Sequence, residues 1–155
     1  MQPHFLHVRS SLEDASAEVE SWYGRSLPLE SEAVEEENGW VTFSLDLDTQ
    51  PSSEWLKLGR SIDVFYESYS TSLCCGELVY VAGSALVRHL RRWESDSELN
   101  VDEGLLRFET NARMSSWVDI WSFVDDLSWE AEVRPTGLVE NDGVALYLPS
   151  EPSER

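Results

Sequence analysis

Three histidines, two adjacent cysteines and a few paired carboxylates are the residues of this 155-residue chain whose types and spacing could do chemistry. Histidine is the usual general acid or base near neutral pH. His4 and His7 are three apart on what reads as a strand, so they point to opposite faces rather than converging. His89 stands among Arg88, Arg91 and Arg92. The chain has no HExxH helix, GxSxG elbow, P-loop or dinucleotide fingerprint to go with any of them. Each histidine is therefore expected at the surface or as a satisfied structural group, and no catalytic residue is assigned.

Asp46 and Asp48 put two carboxylates on one strand face, a spacing that could hold a divalent ion, but such an ion needs more ligands than two. Asp125 and Asp126 point acids along a helix surface and read the same way. No metal and no cofactor is expected. Cys74 and Cys75 are neighbours, so they cannot staple distant parts of a fold, and they read as two small hydrophobes at the start of a strand in a reducing compartment. The arginine cluster reads as charge balance, since long Arg side chains cover sheet edges and pair with carboxylates.

The elements that must carry these residues follow from periodicity. Residues 4 to 8 read as a strand. Ser10 with Glu13 three residues on has the pattern of a capping box, Leu12, Ala15, Val19 and Trp22 repeat at helical spacing, and Gly24 sits where the helix should stop. Asn38-Gly39 is the dipeptide of a two-residue hairpin. Beyond it Val41, Phe43, Leu45 and Leu47 alternate with Trp40, Thr42 and Ser44, which predicts a strand with one buried face. Glu35, Glu36 and Glu37 fall on the partner strand. Residues 54 to 61 read as a short helix ended near Gly59, followed by a strand over 62–70, although Trp55, Leu58, Ile62, Phe65 and Tyr69 would also suit one long helix. Residues 75–83 and 84–94 read as two meander strands, the second with an amphipathic helix as its rival. Residues 95–104 read as a polar connection, 105–110 as a strand, 114–131 as a helix with Trp117, Ile120, Trp121, Val124 and Leu127 inward, and 144–148 as a last strand. The sum is α+β: a single domain over 1–148 with a loose tail over 149–155, and an antiparallel, meander-rich sheet with two or three helices mainly on one face.

Charge bounds the function. The formal net charge is −19, from thirty acids against eleven bases, of which one is lysine. Residues 1–50 hold eleven acids and two bases (−9), 51–100 seven and five (−2), and 101–155 twelve and four (−8). Such a balance argues against direct binding to nucleic acid or to an anionic membrane. No apolar stretch approaches the ~20 residues that span a bilayer, and the first residues lack the pattern of a secretion signal, so a cytoplasmic location is expected. Seven tryptophans set the chain apart from a disordered acidic tail. Salt adaptation would explain acid in place of lysine, but it would not by itself call for bulky aromatics.

The remaining class is a non-enzymatic acidic binding protein with a basic protein as partner. Complementary charge speeds association, and aromatic anchors slow dissociation. In size, acidity and lack of catalytic motifs the chain resembles bacterial toxin-immunity proteins, which cover the cationic site of a nuclease toxin, although no family motif is matched residue by residue. The alternatives are a DNA mimic, which needs long rows of acids at phosphate-like spacing, and a small hydrolase or metal-dependent enzyme using carboxylates. The residues expected to meet the partner are Glu35, Glu36, Glu37, Trp40, Asp46, Asp48, Asp125 and Asp126.

Overall fold

The computed structural model describes residues 4–27, 33–35, 39–45, 47–70 and 72–104. They form an α+β unit: seven antiparallel strands in the order β2-β3-β1-β4-β5-β6-β7 and two helices packed against the sheet. The strands are β1 (His4–Arg9), β2 (Ala33–Glu35), β3 (Trp40–Ser44), β4 (Asp63–Ser70), β5 (Cys75–Ala82), β6 (Ala85–Trp93) and β7 (Val101–Gly104), with α1 (Leu12–Tyr23) between β1 and β2 and α2 (Ser52–Leu58) between β3 and β4. Strands β5 and β6 are the expected meander, which β4 and β7 extend on either side, and 85–93 is strand rather than helix. The other predictions that fall on 105–155, Asp125 and Asp126 included, lie outside the described residues.

Both helices sit on one face. Ala15 and Val19 of α1 and Trp55 and Leu58 of α2 share a buried cluster with Leu6, Val8, Val41, Phe43, Val64, Tyr66, Val79 and Val81. These strand residues lie on one side of the pleat because cross-strand partners share a face, and Leu6 is paired with both Phe43 and Tyr66. Trp55 stacks on Tyr66, with ring centroids 4.8 Å apart. Trp22 joins α1 to α2 by donating from its indole to the Glu54 carbonyl at 2.9 Å.

Several local expectations are corrected. The N-cap of α1 is Ser11, not Ser10: its hydroxyl accepts from the Asp14 N–H at 3.2 Å, and Ser10 is left to bond Gly39 across the strands. Gly24 does end the helix, at φ 80. Leu12 belongs to the helical stripe but is 40% exposed, because it lies in the first turn, ahead of the buried Ala15 and Val19.

The β2–β3 hairpin is one residue out of the expected register. A two-residue turn at Asn38-Gly39 would pair Glu35 with Thr42, whereas Glu35 pairs with Val41. Gly39, at φ 87, supplies the left-handed residue on which a longer connection closes. A one-residue slip exchanges faces, so Glu35 lies on the side that carries the helices. Strand β3 also buries both faces rather than one. Thr42 is fully buried because its hydroxyl has a partner in His7 Nδ1 at 2.7 Å, which makes it an interior residue despite its polarity.

The stretch 95–104 is more ordered than a polar connection. Asp96 caps a short 3-10 turn at Ser97–Leu99, and β7 follows as an edge strand. Its hydrophobicity could not announce it, since β7 is held through ions: Asp102 pairs with Arg88 at 2.6 Å and with Arg92 at 3.0 Å.

Candidate functional site

On the helix face the strands change character half-way along. Going down β1 the side chains are Val8, Leu6 and then His4. Along β4 they are Val64, Tyr66, then Ser68 and Ser70, and along β5 Val81, Val79, then Glu77 and Cys75. Register turns these separate sequence changes into one surface. His4 is beside Ser68, Ser68 beside Glu77, and Glu77 beside Arg91, while Ser70, Cys75 and Trp93 form the next row. The apolar half lies under the helices. The polar half floors a cavity of about 790 Å³ walled by Leu47, Asp48, Thr49, Ser72, Leu73 and Leu99 from the adjoining links.

Glu77 is the charged group built most firmly into that floor, being 8% exposed. Its Oε2 accepts from His89 Nε2 at 2.7 Å and from Arg91 Nε at 3.0 Å. Arg91 spends its other nitrogens on the carbonyls of Gln50, at 2.5 Å, and Leu99, at 3.2 Å. The other side of the His89 ring meets Ser52 Oγ at 2.7 Å, and Ser52 donates onward to Glu103 Oε1 at 2.9 Å. Glu77 Oε1 makes none of these bonds, and Glu77 is among the residues that line the cavity.

Ser52, His89 and Glu77 thus bring together a hydroxyl, an imidazole and a carboxylate, a convergence that the sequence analysis did not expect. A nucleophilic serine needs a basic nitrogen to take its proton. Ser52 gives its single hydroxyl hydrogen to Glu103, and both ring nitrogens of His89 are engaged, Nδ1 with Ser52 and Nε2 with Glu77. In this arrangement the network clamps β5, β6, β7 and the start of α2.

The remaining candidates for chemistry are also occupied. His4 Nδ1 bonds Ser68 Oγ at 2.6 Å. His7, fully buried on the opposite face, bridges Thr42 and the buried Glu67, the latter at 3.0 Å. Cys75 starts β5 in the cavity floor, and Cys74 precedes it at φ 49. The Glu94 carboxylate that accepts from Cys74 raises its thiol pKa, and burial raises that of Cys75, so neither is an activated thiolate. Burial alone would raise the Asp102 carboxyl, but the hydrogen bonds and charges of Arg88 and Arg92 outweigh it and hold it below the ordinary carboxylate range. The arginine cluster is therefore engaged within the chain. Among the described residues no group of three or more metal-ligating side chains converges, and no helix is long and apolar enough to cross a membrane.

The residues expected to meet a partner do not all reach the surface. Glu35 and Asp48 are exposed, Asp48 at the cavity wall. Trp40 is fully buried, with the Arg9 guanidinium 4.8 Å above its ring, so it offers no exposed aromatic surface. Glu36, Glu37 and Asp46 lie outside the described residues. The acids of α1 were not among the residues expected to meet a partner. Glu13, Asp14, Glu18 and Glu20 are all exposed, and the last turn of the helix holds no base. Arg25, just past the end, bonds the Tyr23 hydroxyl and covers its ring instead. The signal was available in the sequence as Asp14 and Glu18 at i,i+4 with no lysine or arginine between Arg9 and Arg25. No protein-family model, curated protein or solved structure matches this chain.

Proposed function

We propose that this chain is a non-enzymatic acidic binding protein that covers the cationic site of a basic protein, in the manner of an immunity protein that neutralises a nuclease toxin. The observation that carries this reading is the acid on α1. Asp14 and Glu18 repel one another at i,i+4, and Glu20 lies in the last turn, where the helix dipole disfavours a negative charge. Acids placed against the stability of their own helix are better explained by something they meet than by the fold. Glu35, brought to the same side of the sheet by the hairpin register, extends that surface. A helix of twelve residues is only ~18 Å long, which suits a compact cap better than the long rows of a duplex mimic.

The test uses the triple variant Glu13→Gln, Glu18→Gln, Glu20→Gln beside the parent. Basic proteins captured from the native host are identified and expressed with and without the chain. The expected result is a partner that is toxic alone and tolerated in the presence of the chain, and whose association slows by about tenfold or more at low salt in the variant. Capture of acidic or neutral partners only, or equal association rates at every salt concentration, overturns the reading.

A further inference from the structure

The cavity floored by His4, Ser68 and Glu77 holds two carboxylates and one imidazole in its lining. The carboxylates are Glu77 and Asp48, the imidazole is His4, which is bonded to Ser68, and no arginine or lysine side chain lines the cavity. Arg91, the nearest cation, lies behind Glu77 and directs its nitrogens to Glu77, Gln50 and Leu99. Glu77 is therefore an acceptor held in advance: Oε2 is fixed by two donors, Oε1 takes neither of these bonds, and the residue lines the cavity. Around it stand the hydroxyls of Ser68, Ser70 and Thr49, and at the rim Trp93 is half-buried and Leu73 is 53% exposed.

We propose that this cavity receives the guanidinium of an arginine side chain presented by the basic partner. The inference rests on the proposed function and adds the anchoring contact to it. A guanidinium is planar, weakly hydrated and carries five donors, so it leaves water for a site of fixed acceptors more readily than an ammonium does. Its aliphatic stem suits Leu47, Leu73 and Leu99, and its face can lie over an indole such as Trp93. A neutral polyol would find the hydroxyls and the indole but would leave the charge of Asp48 unanswered, since of the two carboxylates only Glu77 is already paired, with Arg91. Such a pre-set pocket is the usual seat of an interface hot spot, which acts mainly on dissociation.

The probe is agmatine, an alkylguanidinium, titrated against the chain alone while the Trp93 indole N–H is followed by NMR, assigned through Trp93→Phe. Methyl glucoside serves as the polyol control. Agmatine is expected to shift that signal saturably in the millimolar range, about 1–10 mM, with methyl glucoside silent. Asp48→Asn, at an exposed position, should weaken binding about fivefold, the worth of one charge at ~4 Å in water. Glu77→Gln should abolish it, and because that change also disturbs the His89 and Arg91 contacts, Asp48→Asn gives the independent reading. Saturating agmatine should also speed dissociation of the captured partner. No saturable shift, binding of methyl glucoside in place of agmatine, an unchanged affinity in Asp48→Asn, or a partner indifferent to agmatine would each overturn the inference. If agmatine fails while the α1 variant still slows association, the cavity is not the anchor and the proposed function stands. If agmatine binds and no basic partner exists, the proposed function falls, and with it the partner's arginine as the occupant.

Discussion

Gly59 ends α2 at a point where there is no room for a side chain. A Cβ built on it would stand 2.3 Å from Val81 Cγ1 and 2.8 Å from Val81 Cβ, both in the core of the sheet rather than at the end of a flexible chain. Its φ is −75, so the requirement is steric rather than conformational. Gly59→Ala should therefore destabilise the fold by about 1–3 kcal/mol through overpacking. The change should be partly reversed by Val81→Ala, even though that second substitution is destabilising alone. Urea denaturation of the two single variants and the double variant decides this, and additive losses would show that the clash is relieved elsewhere. The same closeness explains why the helix stops where it does: Gly59 lets the chain pass against β5 and turn into β4. The sequence announced the stop, because glycine interrupts a helical pattern. It could not announce the reason, since Val81 is twenty-two residues away in the chain and meets Gly59 only when the sheet is formed.

At the level of elements, the charge of α1 works against the helix's own stability towards its C-terminal end. Its start is well made, with Ser11 capping and Glu13 and Asp14 in the first turn, where a negative charge is favoured. Its end is not, since Glu20 lies near the C-terminus and Arg25 is engaged with Tyr23. Replacing Glu18 and Glu20 with glutamine should raise stability by a few tenths of a kcal/mol each, about 0.3–0.5, read as a higher urea midpoint with an unchanged slope. A lower midpoint would mean that these acids support the fold, and the case for a partner on this helix would lapse. The helix itself was legible from the spacing of Ala15, Val19 and Trp22, as were the meander and the split between α2 and β4. The cavity was not. On β1, β4 and β5 the change from Leu6 to His4, from Tyr66 to Ser68 and from Val79 to Glu77 looks in each strand like ordinary fraying of a pattern. Only register places the three changes in one row. The burial of Trp40 and Thr42 was hidden for a related reason: alternation assigns polar residues outward, and it cannot see that His7, thirty-five positions away, supplies the partner that lets Thr42 go inside.

Over the whole molecule a charge of −19 acts on folding and on binding with opposite dependence on salt. Self-repulsion among the exposed acids opposes the compact state, and screening relieves it, because the Debye length falls from about 30 Å at 0.01 M to about 10 Å at 0.1 M and about 3 Å at 1 M. The internal pairs respond less: Glu77 with Arg91 is buried, so salt hardly reaches it. Raising sodium chloride from about 0.01 to about 0.5 M should therefore raise the urea midpoint, and the gain should be smaller in the Glu13→Gln, Glu18→Gln, Glu20→Gln variant. Urea is the denaturant to use, since guanidinium would itself screen the charges and compete for the cavity. Over the same range association with a basic partner should slow, because the attraction that steers the encounter is screened with the repulsion. The two trends separate the explanations of the acid. If salt stabilises the fold while slowing the encounter, the surface charge is tolerated by the fold for the sake of a partner. If salt stabilises the fold and leaves the encounter rate unchanged, the acid serves solvation alone and the partner, if any, is held by other contacts.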